Sequence, residues 1–401
     1  MRMTFGERLR TARVDRRLSQ TEIGGNRYSA SYISHLERDR RRPTPEVVSF
    51  LANQLGVPPS SLATPPRDAI TAARVEVAVG QLRLQDALLR RDFDAVITET
   101  DAIAAEASLT DASAWWAAMR LRAEALIVRG DYDAGLALVE QLLGSEMILA
   151  SQPLRASVLV LHSRTLRATG RLPDALDAAT NAVDAAESAS VAEVLAAALL
   201  AKVAALAELG QRDELDKAAQ QLTDARASVP VGQLRGEIAW SLGNVRFLQG
   251  RAEEGIEEHD QAADLLDPMA DLRAWARFHK ASAAMRLGAG VTTGVEEMLE
   301  RAQTGLSIVG TAHDFAELDL VRAEFLMMTE PDTSIRLIDA AIATPELPAH
   351  TIAEAHTLKA RVLDEQSGPD AARAEWATAA ELYEESGAHE RATAIWRRLA
   401  R

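Results

Sequence analysis

The chain has 401 residues, which is enough for two or three domains of ordinary size. Aromatic residues make up only 4% of it, while alanine and leucine dominate the 47% hydrophobic fraction, and this favours closely packed helices over a sheet-rich fold. The net charge is −15 and there is no cysteine, which excludes disulfides, thiolate catalysis and cysteine-ligated zinc and leads us to expect a cytoplasmic protein.

The first predicted helix runs from about Thr4 to Val14. Thr4 can cap it, and Glu7 can reach back to the Thr4 amide, which together form a capping box. Phe5 and Leu9 are spaced for one buried face. The segment is charged throughout, so we expect no signal peptide here.

Two short helices joined by a tight turn are predicted within residues 18–37. Ser19 and Glu22 form a second capping box, and residues 24–26 (Gly, Gly, Asn) follow where the chain must reverse. Ser29 then caps a helix that keeps only a thin apolar seam. Such a short polar helix suits the major groove of DNA.

The alternative is a small helical hairpin with a charged face. We favour the DNA-binding interpretation because the cap, the turn, the seam of Ile33 and Leu36, and the basic run of residues 40–42 occur together in the right order.

These residues resemble the helix-turn-helix of the Cro and phage-repressor class, often called the Xre family. The motifs that carry the resemblance are Leu18-Ser19-Gln20, Tyr32-Ile33-Ser34 with Leu36-Glu37, and the arginine run closed by Pro43. It covers about the first 65 residues and implies a five-helix, lambda-repressor-like domain that binds double-stranded operator DNA. The DNA-contacting residues that it implies are Gln20, Ala30, Ser31, Ser34, His35, Arg38, Arg40, Arg41 and Arg42.

Within that set, the resemblance implies that Gln20 contacts a phosphate, that the exposed positions of the second helix face base edges, and that the arginines hold the backbone. Two features depart from the family pattern. The interval from Gln20 to Tyr32 is one residue shorter than usual, and Asp39 stands where the family usually has glycine. Aspartate enters the left-handed region only at some cost.

Charge is divided unevenly along the chain. Residues 1–67 contain twelve arginines against six acidic residues, a net charge of +6, whereas the remainder has 32 basic and 53 acidic residues, a net charge of −21. Only the N-terminal part therefore has the sign that a phosphate backbone attracts.

A fourth helix capped by Thr44 and started by Pro45 is expected to close the small core, and a last turn completes a DNA-binding domain of residues 1–62. Residues 63–69, with Pro65 and Pro66, are predicted to form a stiff linker. Residues 70–401 are predicted to form one helical-repeat domain for sensing and dimerisation.

An internal repeat dominates this second domain. Turns begin at Arg91, Gly130, Gly170, Gly210 and Gly250, in steps of 39, 40, 40 and 40 residues, and weaker turns near 288, 330 and 367 extend the series to eight. Amphipathic helical patterns precede and follow each turn, so each unit is a helix hairpin that must stack on its neighbours to bury its apolar face.

The repeats resemble tetratricopeptide (TPR) units, which implies an all-α, right-handed superhelix of helical hairpins. The best unit has Leu242-Gly243 in its first helix and Gly255 and Ala262 at close-packing positions of the second. Its period of 40 departs from the usual 34. A HEAT-like or generic helical solenoid is the open alternative, and it shares the concave groove.

No catalytic or cofactor motif was found. The sequence has no HExxH, no GxSxG, no phosphate loop and no GxGxxG after a strand, so we expect no enzyme, no cofactor and no metal site. The histidines after residue 100 are interpreted as surface or groove residues. The longest apolar stretch, residues 194–209, is too short and too charged for a membrane span.

The predicted concave face carries aromatic, amide and guanidinium side chains, which together suit an extended peptide. The ligand-binding residues predicted there are Arg120, Arg164, Arg167, Trp240, Asn244, Phe247 and Phe278. The opposing interpretation is that the aromatic residues are core and the arginines are solvated.

Together these features predict a transcription regulator that binds operator DNA, forms a homodimer and senses a peptide or small-molecule effector. The combination of modules resembles the peptide-sensing quorum regulators of Gram-positive bacteria. A rival hypothesis is a scaffold whose repeats bind a protein partner constitutively while the DNA-binding domain tethers it.

Overall fold

A computed structural model describes residues 4–62, 67–107 and 112–400, and within these ranges every regular element is an α-helix. The N-terminal helices are α1 (Phe5–Asp15), α2 (Gln20–Gly24), α3 (Ala30–Glu37), α4 (Pro45–Leu55) and α5 (Pro59–Leu62). The five-helix N-terminal domain expected from the sequence is therefore confirmed.

The starts of these helices follow the predicted caps. Thr4 and Glu7 form a complete capping box on α1, and Ser19 and Glu22 form another on α2. The hydroxyl of Ser29 accepts from the amide of Tyr32 at 3.2 Å, which caps α3. Each bond satisfies an amide that the first helical turn leaves without an intrahelical acceptor.

A compact core holds α1 to α5 together. The predicted seam of α3 is confirmed, because Ile33 and Leu36 are completely buried. Leu9 of α1, Ile23 of α2 and Leu51 of α4 are equally buried around them. The seam fixes which side of α3 faces the core, and therefore which side chains it presents to solvent.

Asp39 ends α3 in the left-handed conformation, with φ of 53°. Its carboxylate accepts from the amide of Gly6 at 2.9 Å and from the hydroxyl of Thr4, so it lies at the N-terminus of α1. A negative charge is favourable at that position because the first turn exposes amide groups and the positive end of the helix dipole. The backbone cost expected for Asp39 is thus offset by a contact that glycine lacks.

The boundary region differs from the predicted linker. Residues 63–66, which include Pro65 and Pro66, lie outside the described residues, and α6 begins at Arg67. Residues 67–69 are therefore helical. The chain divides into two compact units inside α6, one reaching Val79 and the other starting at Gly80, with residues 106 and 107 grouped with the first.

The helices from Arg67 onward pair into hairpins. They are α6 (Arg67–Leu89), α7 (Phe93–Ala107), α8 (Ala112–Arg129), α9 (Tyr132–Leu143), α10 (Glu146–Ala150), α11 (Gln152–Ala168), α12 (Leu172–Ala189), α13 (Ala192–Leu209), α14 (Arg212–Arg226), α15 (Gln233–Leu248), α16 (Ala252–Leu265), α17 (Leu272–Gly288), α18 (Val295–Val309), α19 (Ala312–Leu326), α20 (Pro331–Ile342), α21 (Ala349–Ser367), α22 (Pro369–Glu385) and α23 (His389–Leu399). None of the described helices is long and apolar enough to cross a membrane.

The repeat period is visible in the backbone of the turns. Left-handed residues occur at Arg91, Gly130, Gly170, Gly210, Gly250 and Gly290. Five of the six are glycine, the residue that adopts positive φ without steric cost. The sixth turn is centred on Gly290, since the predicted position, Gly288, is the last residue of α17.

Small residues let paired helices approach closely, as the TPR resemblance implied. A Cβ atom on Gly243 would lie 2.2 Å from the ring of His259, and one on Gly255 would lie 2.6 Å from the ring of Phe247. Ala262 is completely buried. Larger side chains at these positions would push α15 and α16 apart.

Contacts also join hairpins that are far apart in sequence. The Tyr132 hydroxyl lies 3.3 Å from Nδ1 of His313, 181 residues later, and the two rings stack. Arg391 donates from Nη2 to the carbonyl of Ala207 at 3.0 Å. The repeat pattern predicts only stacking between neighbours. In the second unit α9 also contacts α19, and α13 contacts α21 and α23, so these helices enclose an interior.

Candidate DNA-binding and effector-binding sites

The side chains of α3 that lie opposite its buried seam form the candidate DNA-reading surface. Ser31 and His35 are exposed, and Ala30 and Ser34 are half-buried. Both pairs are spaced by four residues, so each pair lies along one row of the helix. The predicted base-facing residues are thus together on the accessible side of α3.

The arginines that follow α3 extend this surface. Arg38, Arg40, Arg41 and Arg42 are exposed, and within the described part of the chain none of them pairs with a carboxylate. Arg41 is held over the ring of Tyr32 at 5.1 Å from the ring centroid. This cation–π contact fixes the guanidinium beside α3 while leaving its donors free.

An aromatic cluster supports the same face. Tyr28 stacks on Tyr32 and meets Phe50 edge-on, with centroid distances of 5.2 Å in both cases. Arg27 lies over Phe50 at 5.8 Å from its centroid. Arg27 was not among the residues predicted to contact DNA, yet its place in the turn before α3 adds a cation to the basic surface.

Gln20 takes part in a hydrogen-bonded network behind α3. Its amide donates to Glu37 at 2.7 Å, and Arg13 binds the same carboxylate from Nε at 2.6 Å and from Nη2 at 3.0 Å. Burial opposes ionisation of Glu37, but its bonds to Arg13 and Gln20 outweigh this and lower its pKa. The network ties α1, α2 and α3 together, and a phosphate contact by Gln20 stays a prediction.

Charged side chains line the interior of the second unit. On α8, Arg120 donates to Glu124 at 2.7 Å. On α11, Arg167 binds Glu208 of α13, with Nε to Oε2 at 3.0 Å. Arg167 and Glu208 keep 25% and 24% of their side-chain surface accessible, so they border a space that water reaches.

The opposite wall carries a second group of charges. Asp314 of α19 accepts from Arg273 of α17 at 2.9 Å and lies 3.5 Å from Arg277. Burial raises the pKa of Asp314, but Arg277, Arg273 and Lys280 together lower it to about 2. Lys280 also pairs with Glu317. These ion pairs connect the first helices of neighbouring hairpins.

Arg164, one turn before Arg167, also faces this interior. The charged groups that act on it are Arg277, Glu237, Arg167 and Glu124, which come from α8, α11, α15 and α17. The side chain is exposed to solvent, yet burial lowers the pKa of its guanidinium. An enclosed, water-accessible position explains both observations.

The remaining predicted ligand-binding residues lie in or beside the core. Phe278 is 2% exposed, Phe247 is buried, and Trp240 is half-buried with its ring edge-on to Phe278. The amide oxygen of Asn244 accepts from Nε2 of His259 at 3.1 Å. Phe247 and Phe278 therefore belong to the core rather than to the accessible surface of the interior. Direct ligand contact by any of these residues stays a prediction.

Three histidines expected at the surface or groove are buried instead: His350 of α21, and a pair on α16 and α17. His259 and His279 are 1% and 3% exposed, and burial lowers the pKa of each ring to about 4. Among the described residues, neither ring nitrogen of His279 has a hydrogen-bond partner. The scattered positions of His259 and His279 in the sequence concealed their shared burial around α15 to α17.

Glu208 and Asp314, the acidic partners that come from the next hairpin, were not predicted from the sequence. The pairs Arg167 with Glu208 and Arg273 with Asp314 are both 41 residues apart, which is one repeat plus one residue. Opposite charges at the repeat spacing were therefore the available signal. Within the described residues no group of histidine and acidic side chains could hold a metal ion.

Comparison with known proteins supports both domains. Residues 4–64 match a family model described as a helix-turn-helix domain. No curated protein sequence matches the chain. The chain is similar in structure to a Rap protein complexed with Competence and Sporulation Factor, with a TM-score of 0.50 and 9% identity over 98% of this chain and 97% of that one.

A second similar structure is Bacillus thuringiensis PlcR in complex with the peptide PapR7 and DNA. Its TM-score is 0.32, with 12% identity over 76% of this chain and 95% of that one. The chain thus consists of an N-terminal helix-turn-helix DNA-binding domain followed by a TPR-like helical-repeat domain.

Proposed function

We propose that this protein is a sequence-specific transcription regulator whose repeat domain forms a dimer and binds a peptide or small-molecule effector. One observation carries the proposal: α3 presents Ser31 and His35 to solvent beside exposed arginines that have no carboxylate partner among the described residues. A surface of polar side chains flanked by free cations matches the division of DNA contacts into base readout and phosphate positioning.

The proposed DNA-binding mode places α3 in the major groove. Ser31 and His35 would read base edges, while Arg38 and residues 40–42 would hold phosphates. Gln20 donates to Glu37 and lies only partly exposed, so a phosphate contact would have to use its remaining donor capacity.

The interior of the second unit supports an effector site. Its first helices bring Arg120, Arg164 and Arg167 to a water-accessible space. Arg273, Arg277 and Lys280 approach from the facing wall. The Rap protein of similar fold was solved with a bound factor, which is consistent with a repeat domain that holds a ligand.

Selection from random duplex DNA tests the DNA-binding part of the proposal. Purified full-length protein should enrich a defined motif, and a dimer should enrich two half-sites about 34 Å apart, one helical turn. Light scattering of the protein without DNA should then give twice the chain mass of 43.3 kDa. Failure to enrich any motif would contradict the regulator assignment, and a monomer that also binds DNA singly would contradict the dimer.

A further inference from the structure

Arg164 differs from the other cations of the interior in having no acidic partner among the described residues. Arg120, Arg167, Arg273 and Lys280 each pair with a carboxylate of the same or the next hairpin. No carboxylate of the described residues lies within ion-pair distance of Arg164.

The surroundings of Arg164 leave its charge uncompensated. Among the nearby charges, the cation Arg277 lowers the pKa of Arg164 most. The only ion-pair partner of Arg277 among the described residues is Asp314, which is shared with Arg273. Glu237 of α15 is an acidic group that acts on Arg164; it accepts a hydrogen bond from Gln233, and burial raises the pKa of its carboxyl. An enclosed guanidinium beside a second cation favours an anion that reaches both.

Solvent reaches Arg164, so a small anion can reach it too. Arg164 keeps an exposed side chain although helices α8, α15 and α17 bring charges to it. A guanidinium offers donors in a planar fork, which fits the two oxygens of a carboxylate better than a neutral group.

We propose that Arg164, with Arg277 beside it, is the subsite that binds a carboxylate of the effector inside the repeat domain. This inference rests on the proposed effector-binding function and adds the chemical class of the ligand: a short peptide with a free C-terminal carboxylate or an acidic side chain. Glu237 lowers the affinity of the subsite for anions, because its carboxyl acts on the same guanidinium.

Pools of short random peptides test this inference with full-length protein. One pool has free C-termini but no aspartate or glutamate, a second has amidated C-termini and includes both acids, and a third is amidated and lacks them. Peptides retained by the protein on gel filtration are quantified by mass spectrometry. Retention of the first pool identifies the C-terminus as the ligand group, and retention of the second identifies an acidic side chain.

Variants connect that retention to Arg164. Arg164→Gln should weaken the binding of the retained peptides about tenfold or more, because the paired charge-assisted hydrogen bonds of the guanidinium are lost. Arg164→Lys should lose less, since the charge stays while the fork does not. Glu237→Gln should strengthen binding. Arg155→Gln is the matched control, because Arg155 is exposed on the opposite side of α11 and should leave retention unchanged.

The outcomes separate the inference from the proposed function. Equal retention of the neutral pool, or undiminished retention by a folded Arg164→Gln protein, would overturn the carboxylate subsite while leaving peptide binding intact. Retention of no pool by the wild-type protein would overturn the subsite together with peptide sensing. Circular dichroism and the Arg164→Lys variant establish that a loss of binding reflects the side chain rather than unfolding.

Discussion

The hydroxyl of Tyr132 donates to Nδ1 of His313, joining two hairpins that are 181 residues apart. The direction follows from the other ring nitrogen: Nε2 of His313 lies 3.2 Å from the carbonyl of Pro345, which can only accept. With a single ring proton, placed on Nε2 by the Pro345 carbonyl, the imidazole accepts through Nδ1. This contact helps to close the second unit on itself.

Removing the phenol tests how much that closure contributes to stability. Tyr132→Phe keeps the stacked ring and should lower the free energy of unfolding by about 1 kcal/mol. All six tryptophans follow residue 112, so tryptophan fluorescence in urea reports the second unit. In a double-mutant cycle with His313→Asn, a coupling energy near zero would show that the contact does not hold the hairpins together.

The Arg13 and Glu37 pair should be essential for the first unit. Their side chains are 15% and 5% exposed, so Arg13→Ala leaves a buried carboxylate without its cation. The expected loss is about 3 kcal/mol or more, with weaker binding to every DNA sequence. Hydrogen exchange of peptides from α1 to α4 measures it, and exposed Arg16 provides the control substitution to alanine. Exchange as slow as in the wild type would refute this role.

The backbone and the side chain of Asp39 have opposite effects on stability. Its positive φ lowers the stability of the first unit, whereas its carboxylate contacts raise it. Asp39→Gly relieves the positive φ but removes the carboxylate that accepts from Gly6 and Thr4, whereas Asp39→Ala removes the carboxylate and keeps the strain. Each contribution is about 1 kcal/mol. By hydrogen exchange of α1, the wild type and Asp39→Gly should therefore be about equally stable, and Asp39→Ala should be less stable than both by about 1 kcal/mol. An alanine variant as stable as the wild type would show that the carboxylate contact contributes nothing.

The sequence predicted local features better than long-range ones. Two kinds of local feature could be predicted because they depend on neighbouring residues. They are the capping boxes of Thr4 and Ser19 and the left-handed glycines of the repeats. The contact of Asp39 with Gly6 and that of Tyr132 with His313 depend on how distant helices meet. Contacts between distant helices cannot be predicted from the local propensities of the residues that make them.

The charged residues of the interior were predicted only in part. The arginines of α11 were predicted from helical spacing, but their partners were not, because pairing Arg167 with Glu208 requires the stacking of two hairpins. The aromatic residues show the reverse. Phe278 has the spacing of a groove residue, yet the closure of α15 against α17 buries it.

Acid should destabilise the second unit through its buried histidines. The pKa of His279 falls from 6.5 to about 4 on folding, so the unfolded chain takes up the proton first and stability is lost as pH falls from 6.5 towards 4. At pH 5 the loss for one such ring is about 2 kcal/mol relative to neutral pH. His279→Phe should remove that part of the dependence.

Urea titrations of the wild type and His279→Phe at pH 7.5 and pH 5 measure the difference directly. The carboxylates that also titrate are common to both proteins, so they cancel in the comparison. Equal pH dependence of the two proteins would mean that the buried ring of His279 does not resist protonation.

Binding of the full-length protein to its selected DNA motif, measured by fluorescence anisotropy over a salt series, tests the central claim most directly. Alanine at Ser31 and His35 should relax sequence preference at particular base pairs. Glutamine at residues 40–42 should instead weaken all sequences alike and flatten the plot of log K against log salt by about one unit per lost phosphate contact. Equal loss of specificity from both sets, or no preference for any sequence in the wild type, would contradict the assignment of α3 as the DNA-reading helix.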